Sequence, residues 1–398
     1  MKHQEDIVDR LGRFYREAGL EVPASPPAWI APQRRRRPSW QPVLASAGLA
    51  AVALSLFFAV RLARDQANQV RATASPTVRA TVEPTATPTV SVRPSPDASW
   101  VTQRFPVGSV SAMLLNSSAV FSVSGTKLAR IDRATGAVSN ADIPANTSGI
   151  AETTAGLWLA SGPTIAPAGT NAQWLTLLDP VTLKVKRQVH LPGQPAADIN
   201  AGPQLAAGNQ LWLGYGTGSF RLSPDTGDQL SSLNLPGAVT SLSIDPSGQR
   251  LYVGVGPSQT QPATVVELDA NTGSKLASAN TGGAGLGGPR VAAASDGVWV
   301  SYATGTMGLV EHRSGTNLST TGGAIRTSNT ARAVVSAGAL WIVDGMAQQL
   351  TCADPASGVT RASTAENQPA TFVADASGAF LGDSQGVAAL QPPASCRG

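Results

Sequence analysis

Histidine and cysteine are scarce in this chain of 398 residues, which contains three of the first and two of the second. Those side chains supply most transition-metal ligands and many catalytic bases and nucleophiles. His3 stands near the start, so only His190 and His312 remain for the rest of the chain. No His/Asp/Glu cluster at metal spacing appears, and no glycine-rich phosphate loop leads from a strand into a helix. The glycine run at 282–288 joins two strands of adjacent units instead. Charge is thin as well: charged residues make up 14%, and the net charge is only +4. The excess comes from Arg34, Arg35, Arg36 and Arg37, so a basic surface for nucleic acid is excluded. Cys352 and Cys396 are too few for a disulfide scaffold and form no C-x-x-C pair. Two readings stand for them: one bond if the domain lies outside the cytoplasm, or two unrelated buried thiols.

What the chain has in quantity is glycine, at 40, and proline, at 29, the composition of an all-β protein rich in turns. From Val110 onward a phrase of four strands recurs. Each copy carries an apolar run ending in an aromatic pair: Val120-Phe121, Leu157-Trp158, Leu211-Trp212, Leu251-Tyr252, Val298-Trp299, Leu340-Trp341 and Ala379-Phe380. Successive aromatics lie between 37 (Phe121 to Trp158) and 54 residues apart (Trp158 to Trp212), close to the period of propeller blades. A turn of the form Asp-x-x-Thr-Gly follows, as in Asp132 to Gly136 and Asp269 to Gly273. Its Asp caps backbone N–H groups and its Gly supplies positive φ. In the fifth copy the turn reads Ser314-Gly315; in the second it degrades to Thr182-Leu183, without glycine.

The aromatic falls on the second strand of each unit, where it fills the gap between neighbouring sheets. The last unit supplies only three strands before Gln391-Pro392-Pro393 stops the ladder. The segment 99–107 resembles the other fourth strands and is the expected donor of the missing one, so the fold read is an all-β, seven-bladed β-propeller closed by an N-terminal strand.

Three segments precede the ring. Residues 1–39 read as a short cytoplasmic segment, in which Ile7, Val8, Leu11, Phe14, Tyr15 and Ala18 share one helical face. That face is a docking or membrane-surface helix, or a marginal helix that does not fold alone. Residues 40–62 read as one transmembrane helix: 41–60 carry no charge, and roughly 20 residues at 1.5 Å each span a bilayer core. The arginines before it set the N-terminus in the cytoplasm. Residues 63–98 are rich in Pro, Thr and Ser and predict a disordered spacer. The domain 99–398 is the ring. A stub before one anchor is similar to the layout of membrane-bound anti-sigma regulators, although their His-x-x-x-Cys-x-x-Cys motif is absent.

Asp245-Pro246-Ser247-Gly248-Gln249-Arg250-Leu251-Tyr252-Val253, followed by Leu268-Asp269-Ala270-Asn271-Thr272-Gly273, resembles the YVTN-type and quinoprotein-dehydrogenase-like β-propeller repeats of bacterial extracytoplasmic proteins. Shorter echoes are Gly208-Asn209-Gln210-Leu211-Trp212 and Asp296-Gly297-Val298-Trp299-Val300. The resemblance implies a propeller outside the cytoplasm; activity does not follow, because the fold hosts many functions. Some such propellers are lyases using a histidine and a metal-bound acid, and others hold quinones. His190 is expected on an outer fourth strand and His312 in a turn between third and fourth strands, both at the surface and neither at the channel.

No catalytic set, metal or cofactor is read, and the expected role is a ligand- or protein-binding and sensing module. The alternatives are a propeller enzyme or a transmembrane regulator acting through the stub. Partners are an unidentified extracytoplasmic ligand or protein and the membrane, with a monomeric ring. The longer loops, 161–173, 192–203, 256–263 and 280–289, share one face. Next to them stand Tyr215, Arg290, Tyr302, Asp344 and Asp383, read as candidate ligand-binding residues against the alternative of ordinary solvated loop positions.

Overall fold

The structure is a computed structural model, which describes residues 99–163, 173–192, 201–258, 261–281 and 288–397. The segments read as cytoplasmic stub, transmembrane helix and spacer lie outside the described residues, as does most of the 282–288 glycine run. Among the described residues no helix is long and apolar enough to cross a membrane.

Seven four-stranded antiparallel sheets follow one another along the chain. The innermost strands are Ala112–Leu115, Thr147–Thr153, Gln204–Ala207, Val239–Ile244, Arg290–Ala293, Arg332–Ser336 and Thr371–Asp375. Each packs on the innermost strands of both neighbouring sheets, and the seventh packs on the first, so the sheets close into a ring. The described part is thus a seven-bladed β-propeller. The second strands, such as Ala119–Ser124, Gly156–Ser161 and Leu211–Tyr215, are buried almost throughout. They are sandwiched between neighbouring blades on both faces, which is why they read as unbroken apolar runs instead of alternating. The fourth strands, such as Val185–His190 and Lys275–Asn280, are exposed, and their lysines, arginine and polar residues blunt the outer edge.

In the seventh blade the outer strand is Val101–Phe105, paired antiparallel to Val387–Leu390. Trp100 and Phe105 are buried there, and Trp100 meets Trp341 edge-on with ring centroids 6.3 Å apart. Arg104 Nη1 donates to Asp383 Oδ2 at 2.5 Å, and its Nη2 lies 3.7 Å from Glu366, whose carboxyl is pushed up by burial. Arg133 of the first blade grips Asp375 of the seventh with both terminal nitrogens, at 2.5 and 2.8 Å. That guanidinium, the largest of several causes, holds the Asp375 carboxyl down at about 2.

Cys352 and Cys396 form a disulfide across 44 residues, with Cα atoms 5.8 Å apart, and tie the tail after the last strand to the sixth blade. Loop closure of that length in the unfolded chain is worth about 3–4 kcal/mol. Replacing both cysteines by serine should therefore lower the unfolding free energy by about that amount, read from chemical denaturation; an unchanged midpoint would mean the tail is not a staple.

The turns keep the Asp cap and the positive-φ residue read from the sequence, and add a rule that the sequence reading missed: the left-handed position also takes leucine. In six blades an Asp or Ser accepts from backbone N–H groups that follow it, as Asp132 Oδ1 does from Thr135 N at 3.0 Å. In four of them the fifth position of the turn, which donates its N–H back, has φ between +72° and +81° and is Gly136, Gly227, Gly273 or Gly358. The second blade is not degraded: Leu183 takes the same position at φ +57°, its N–H on Asp179 O at 2.9 Å. In the fifth blade the expected turn at Gly315 is corrected. The third strand runs on through Met307–Ser314, and Leu318 is the left-handed residue, at φ +56°.

Size explains the exchange. In three junctions the indole Nε1 of the preceding blade donates to the carbonyl just after the capping residue: Trp158 to Pro224 at 2.8 Å, Trp212 to Ala270 at 2.9 Å and Trp299 to Pro355 at 2.9 Å. The ring edge then lies over the turn glycine. A Cβ on Gly227, Gly273 or Gly358 would sit 2.8, 3.2 or 2.9 Å from the indole Cη2. Where the preceding aromatic is the smaller Phe121 or Tyr252, leucine fills the space: Leu183 clusters with Phe121, and Leu318 with Tyr252. A Cβ on Gly136 would instead meet Gln103 and Phe105 of the closing strand.

Candidate functional site

First strands begin, and second strands end, on one face of the ring. Register makes the positions equivalent: Gln204 pairs with Gly214, Arg290 with Ser301, Arg332 with Val343 and Thr371 with Gly382. Tyr215, Tyr302, Asp344 and Asp383 each follow the second-strand partner in that register, so all five candidate residues stand at this face.

Four of the five have their polar groups engaged within the fold. Tyr215 is 1% exposed and donates its hydroxyl to Pro163 O at 3.0 Å; burial pushes that hydroxyl up to about 12. Tyr302 is half-buried and donates to Glu311 Oε2 at 3.0 Å, and burial likewise pushes it up to about 12. Asp344, buried, accepts from the N–H and hydroxyl of Ser328 and from Ala347 N. Asp383, fully buried, accepts from Arg104 and from the N–H groups of Gln385 and Gly386. These two carboxylates brace loops and close the ring.

Arg290 differs. It opens the first strand of the fifth blade, half-buried, and makes no hydrogen bond or ion pair with any described residue. Arg332 opens the first strand of the sixth blade in the same way, also half-buried and without such a partner. Burial lowers the Arg290 guanidinium to about 10, the nearby charge of Arg332 adds to the effect, and burial lowers Arg332 too. Arg332 lines a cavity of about 190 Å³ at the channel mouth with Ser111, Ser148, Gln204 and Thr371, from four other blades. Sequence reading missed Arg332, although superposing the unit starts Arg290-Val291 and Arg332-Ala333 would have exposed it.

Neither histidine reaches this mouth. His190 ends an exposed fourth strand, beside Trp174 at 5.9 Å between ring centroids. His312 is corrected from surface turn to interior: it lies on the third strand of the fifth blade, 4% exposed, against Trp299 at 5.0 Å. Its Nδ1 is 2.6 Å from Thr321 Oγ1 and its Nε2 3.3 Å from Asp296. The error follows from the misplaced turn, because a strand extended to Ser314 carries His312 inside the blade stack. Among the described residues no three His, Cys, Asp or Glu side chains gather as a metal site would require.

A larger cavity, about 530 Å³, sits at the other kind of junction, where the sixth blade meets the seventh. The seventh blade has no turn between third and fourth strands, so Trp341 lacks the latch and donates instead to Ser336 O of its own blade at 3.1 Å. Trp100 and Phe372 pack on the indole, and Cys396 and Arg397 border the cavity.

No family model and no curated protein matches the sequence. Solved structures do match the fold. The chain is similar to hydrazine synthase of Kuenenia stuttgartiensis at 10% identity and a TM-score of 0.57, over 73% of this chain and 97% of that one. It is similar to the Cps50 (Swd1) β-propeller domain of Myceliophteria thermophila at 12% identity and a TM-score of 0.53, over 73% and 98%. A computationally designed protein, Ika8, aligns at 13% identity and a TM-score of 0.52, over 74% and 100%. At such identities the likeness establishes the propeller and nothing about activity.

Proposed function

We propose that the chain is an extracytoplasmic binding module, held at a membrane by the helix read over 40–62, which takes its ligand at the channel mouth. The observation that carries this reading is the contrast between the two arginines and the rest of the ring. The aromatics and acids that recur along the repeat are committed to latches, caps and closure, whereas Arg290 and Arg332 stand at the mouth with no hydrogen-bond or ion-pair partner among the described residues. Rigid rings that present irregular loops on one face recognise ligands there. The disulfide supports an oxidising compartment, and the uncharged run at 41–60 supports the anchor. The repeat phrase around Asp245 to Val253 supports kinship with YVTN-type proteins.

The test is a thermal-shift screen of the full-length chain in detergent against anionic, neutral and cationic small molecules and wall fragments. A saturable stabilisation by one class is expected, and Thr371→Trp, which fills the mouth, should abolish it. A screen in which nothing stabilises the protein, or a shift indifferent to Thr371→Trp, would overturn the reading. Protease added to intact cells should cut the 63–98 spacer and release the ring; release only after lysis would contradict the extracytoplasmic placement.

A further inference from the structure

Two half-buried cations on neighbouring strands, with no counter-charge among the described residues, are an unfavourable arrangement in an unliganded protein. Desolvation penalises each guanidinium, and repulsion adds to it. Both penalties fall when an anion occupies the space between them. We propose that the channel mouth is an oxyanion site in which Arg290 and Arg332 jointly hold a small ligand carrying two negative charges, of the phosphate or dicarboxylate class. This rests on the reading of the mouth as the binding face.

Four features of the site select that chemistry. Arg290 and Arg332 open equivalent strands of adjacent blades, so their Cα atoms stand at the same level of the channel. Guanidinium forks offer parallel N–H groups that match the oxygens of phosphate and carboxylate. Arg332 borders a cavity that Arg290 does not line; Ser111, Ser148, Gln204 and Thr371, from four further blades, give it a neutral polar wall in which Ser148 and Gln204 already donate to the carbonyls of the 202–203 segment, and among the described residues no carboxylate lines it. A cation therefore finds no charged ligand there, and an anion meets no repulsion. The cavity beside Arg332, about 190 Å³, is below the 300–1,000 Å³ of a typical drug-sized pocket, which selects a compact anion.

The acidic residues that could have neutralised the pair are committed elsewhere. Asp383 is bound to Arg104, Asp344 caps the turn after its strand, and Glu311 is held by Arg313 and Tyr302. The pair is thus left for an external ligand, and the site is made by the ring's innermost strands, which the latches hold rigidly.

The experiment is a titration of the full-length protein in detergent with inorganic phosphate and, separately, with succinate, at constant ionic strength set by chloride. One of the two should raise the melting temperature saturably, and which one does so distinguishes phosphate from dicarboxylate recognition. Arg290→Gln and Arg332→Gln should each weaken the apparent Kd at least about tenfold. The double variant should lose the response, and Arg332→Lys, which keeps the charge and loses the fork, should fall between. Without anion, Arg290→Gln should melt higher than the native chain, because it removes the repulsion; circular dichroism identical to the native protein's confirms the fold. Absence of a saturable response to both anions, or a response that survives in the double variant, overturns the assignment. A neutral ligand that binds at the mouth equally in native and double-variant protein overturns the oxyanion assignment and leaves the binding face standing. If no ligand of any class binds, both fall.

Discussion

Gly273→Leu should destabilise the ring by about 2–5 kcal/mol, the sum of a left-handed penalty and overpacking against the indole of Trp212. The same leucine should be tolerated once Trp212 is cut back to phenylalanine. Trp212→Phe alone removes the hydrogen bond to Ala270 O and part of the packing, at roughly 2 kcal/mol. The double variant should recover about 1–3 kcal/mol relative to the sum of the two singles. This expectation comes from the protein itself, where Phe121 already faces Leu183 and Tyr252 faces Leu318. Denaturant unfolding of the four proteins of the cycle measures the coupling. Strict additivity would mean that the exchange of Trp–Gly for Phe–Leu junctions is coincidence, and that blades are held by area alone.

Deleting 99–107 from the otherwise complete chain should abolish the folded monomer in detergent. The deletion removes Trp100 and Phe105 from the core, each worth about 3–5 kcal/mol on truncation, against a total stability of about 5–15 kcal/mol for a domain. It also uncovers the hydrogen-bonding edge of Val387–Leu390 and strips Asp383 and Glu366 of Arg104. Size-exclusion chromatography should show aggregates or no protein, and a peptide spanning 97–108 added during refolding should restore part of the monomer by strand addition. A deletion variant that is monomeric and melts within a few degrees of the native protein would show that the outer strand is an ornament of the seventh blade and does not close the ring.

The contrast between these junctions and the mouth explains how much the sequence disclosed. Blade number, the second-strand position of the aromatics and the identity of the closing strand were legible because each obeys a local rule repeated along the chain. The fifth-blade turn was not, since a search for glycine stops at Gly315 when the left-handed residue is Leu318. That residue is set by the size of Tyr252 on the preceding blade, a contact between neighbouring blades that no local pattern contains. His312 was displaced by the same slip. The candidate site was legible in its face and not in its members. Tyr215, Tyr302, Asp344 and Asp383 stand beside the mouth as expected, but their partners are Pro163, Glu311, Ser328 and Arg104; Glu311 lies on the neighbouring strand of the same blade, and only the Arg104 contact needs the closed ring. Arg332 carried one signal in the sequence, its place at a unit start equivalent to that of Arg290; that it has no carboxylate partner among the described residues emerges only in the fold.

Hydrogen exchange of the full-length protein, with and without millimolar inorganic phosphate or succinate, tests most directly whether recognition occurs at the mouth. Added protection is predicted in the strands Arg290–Ala293 and Arg332–Ser336 and at the start of Thr371–Asp375, with the latch turns unchanged. Protection confined to the cavity beside Trp341 and Cys396, or none with either anion, would contradict it.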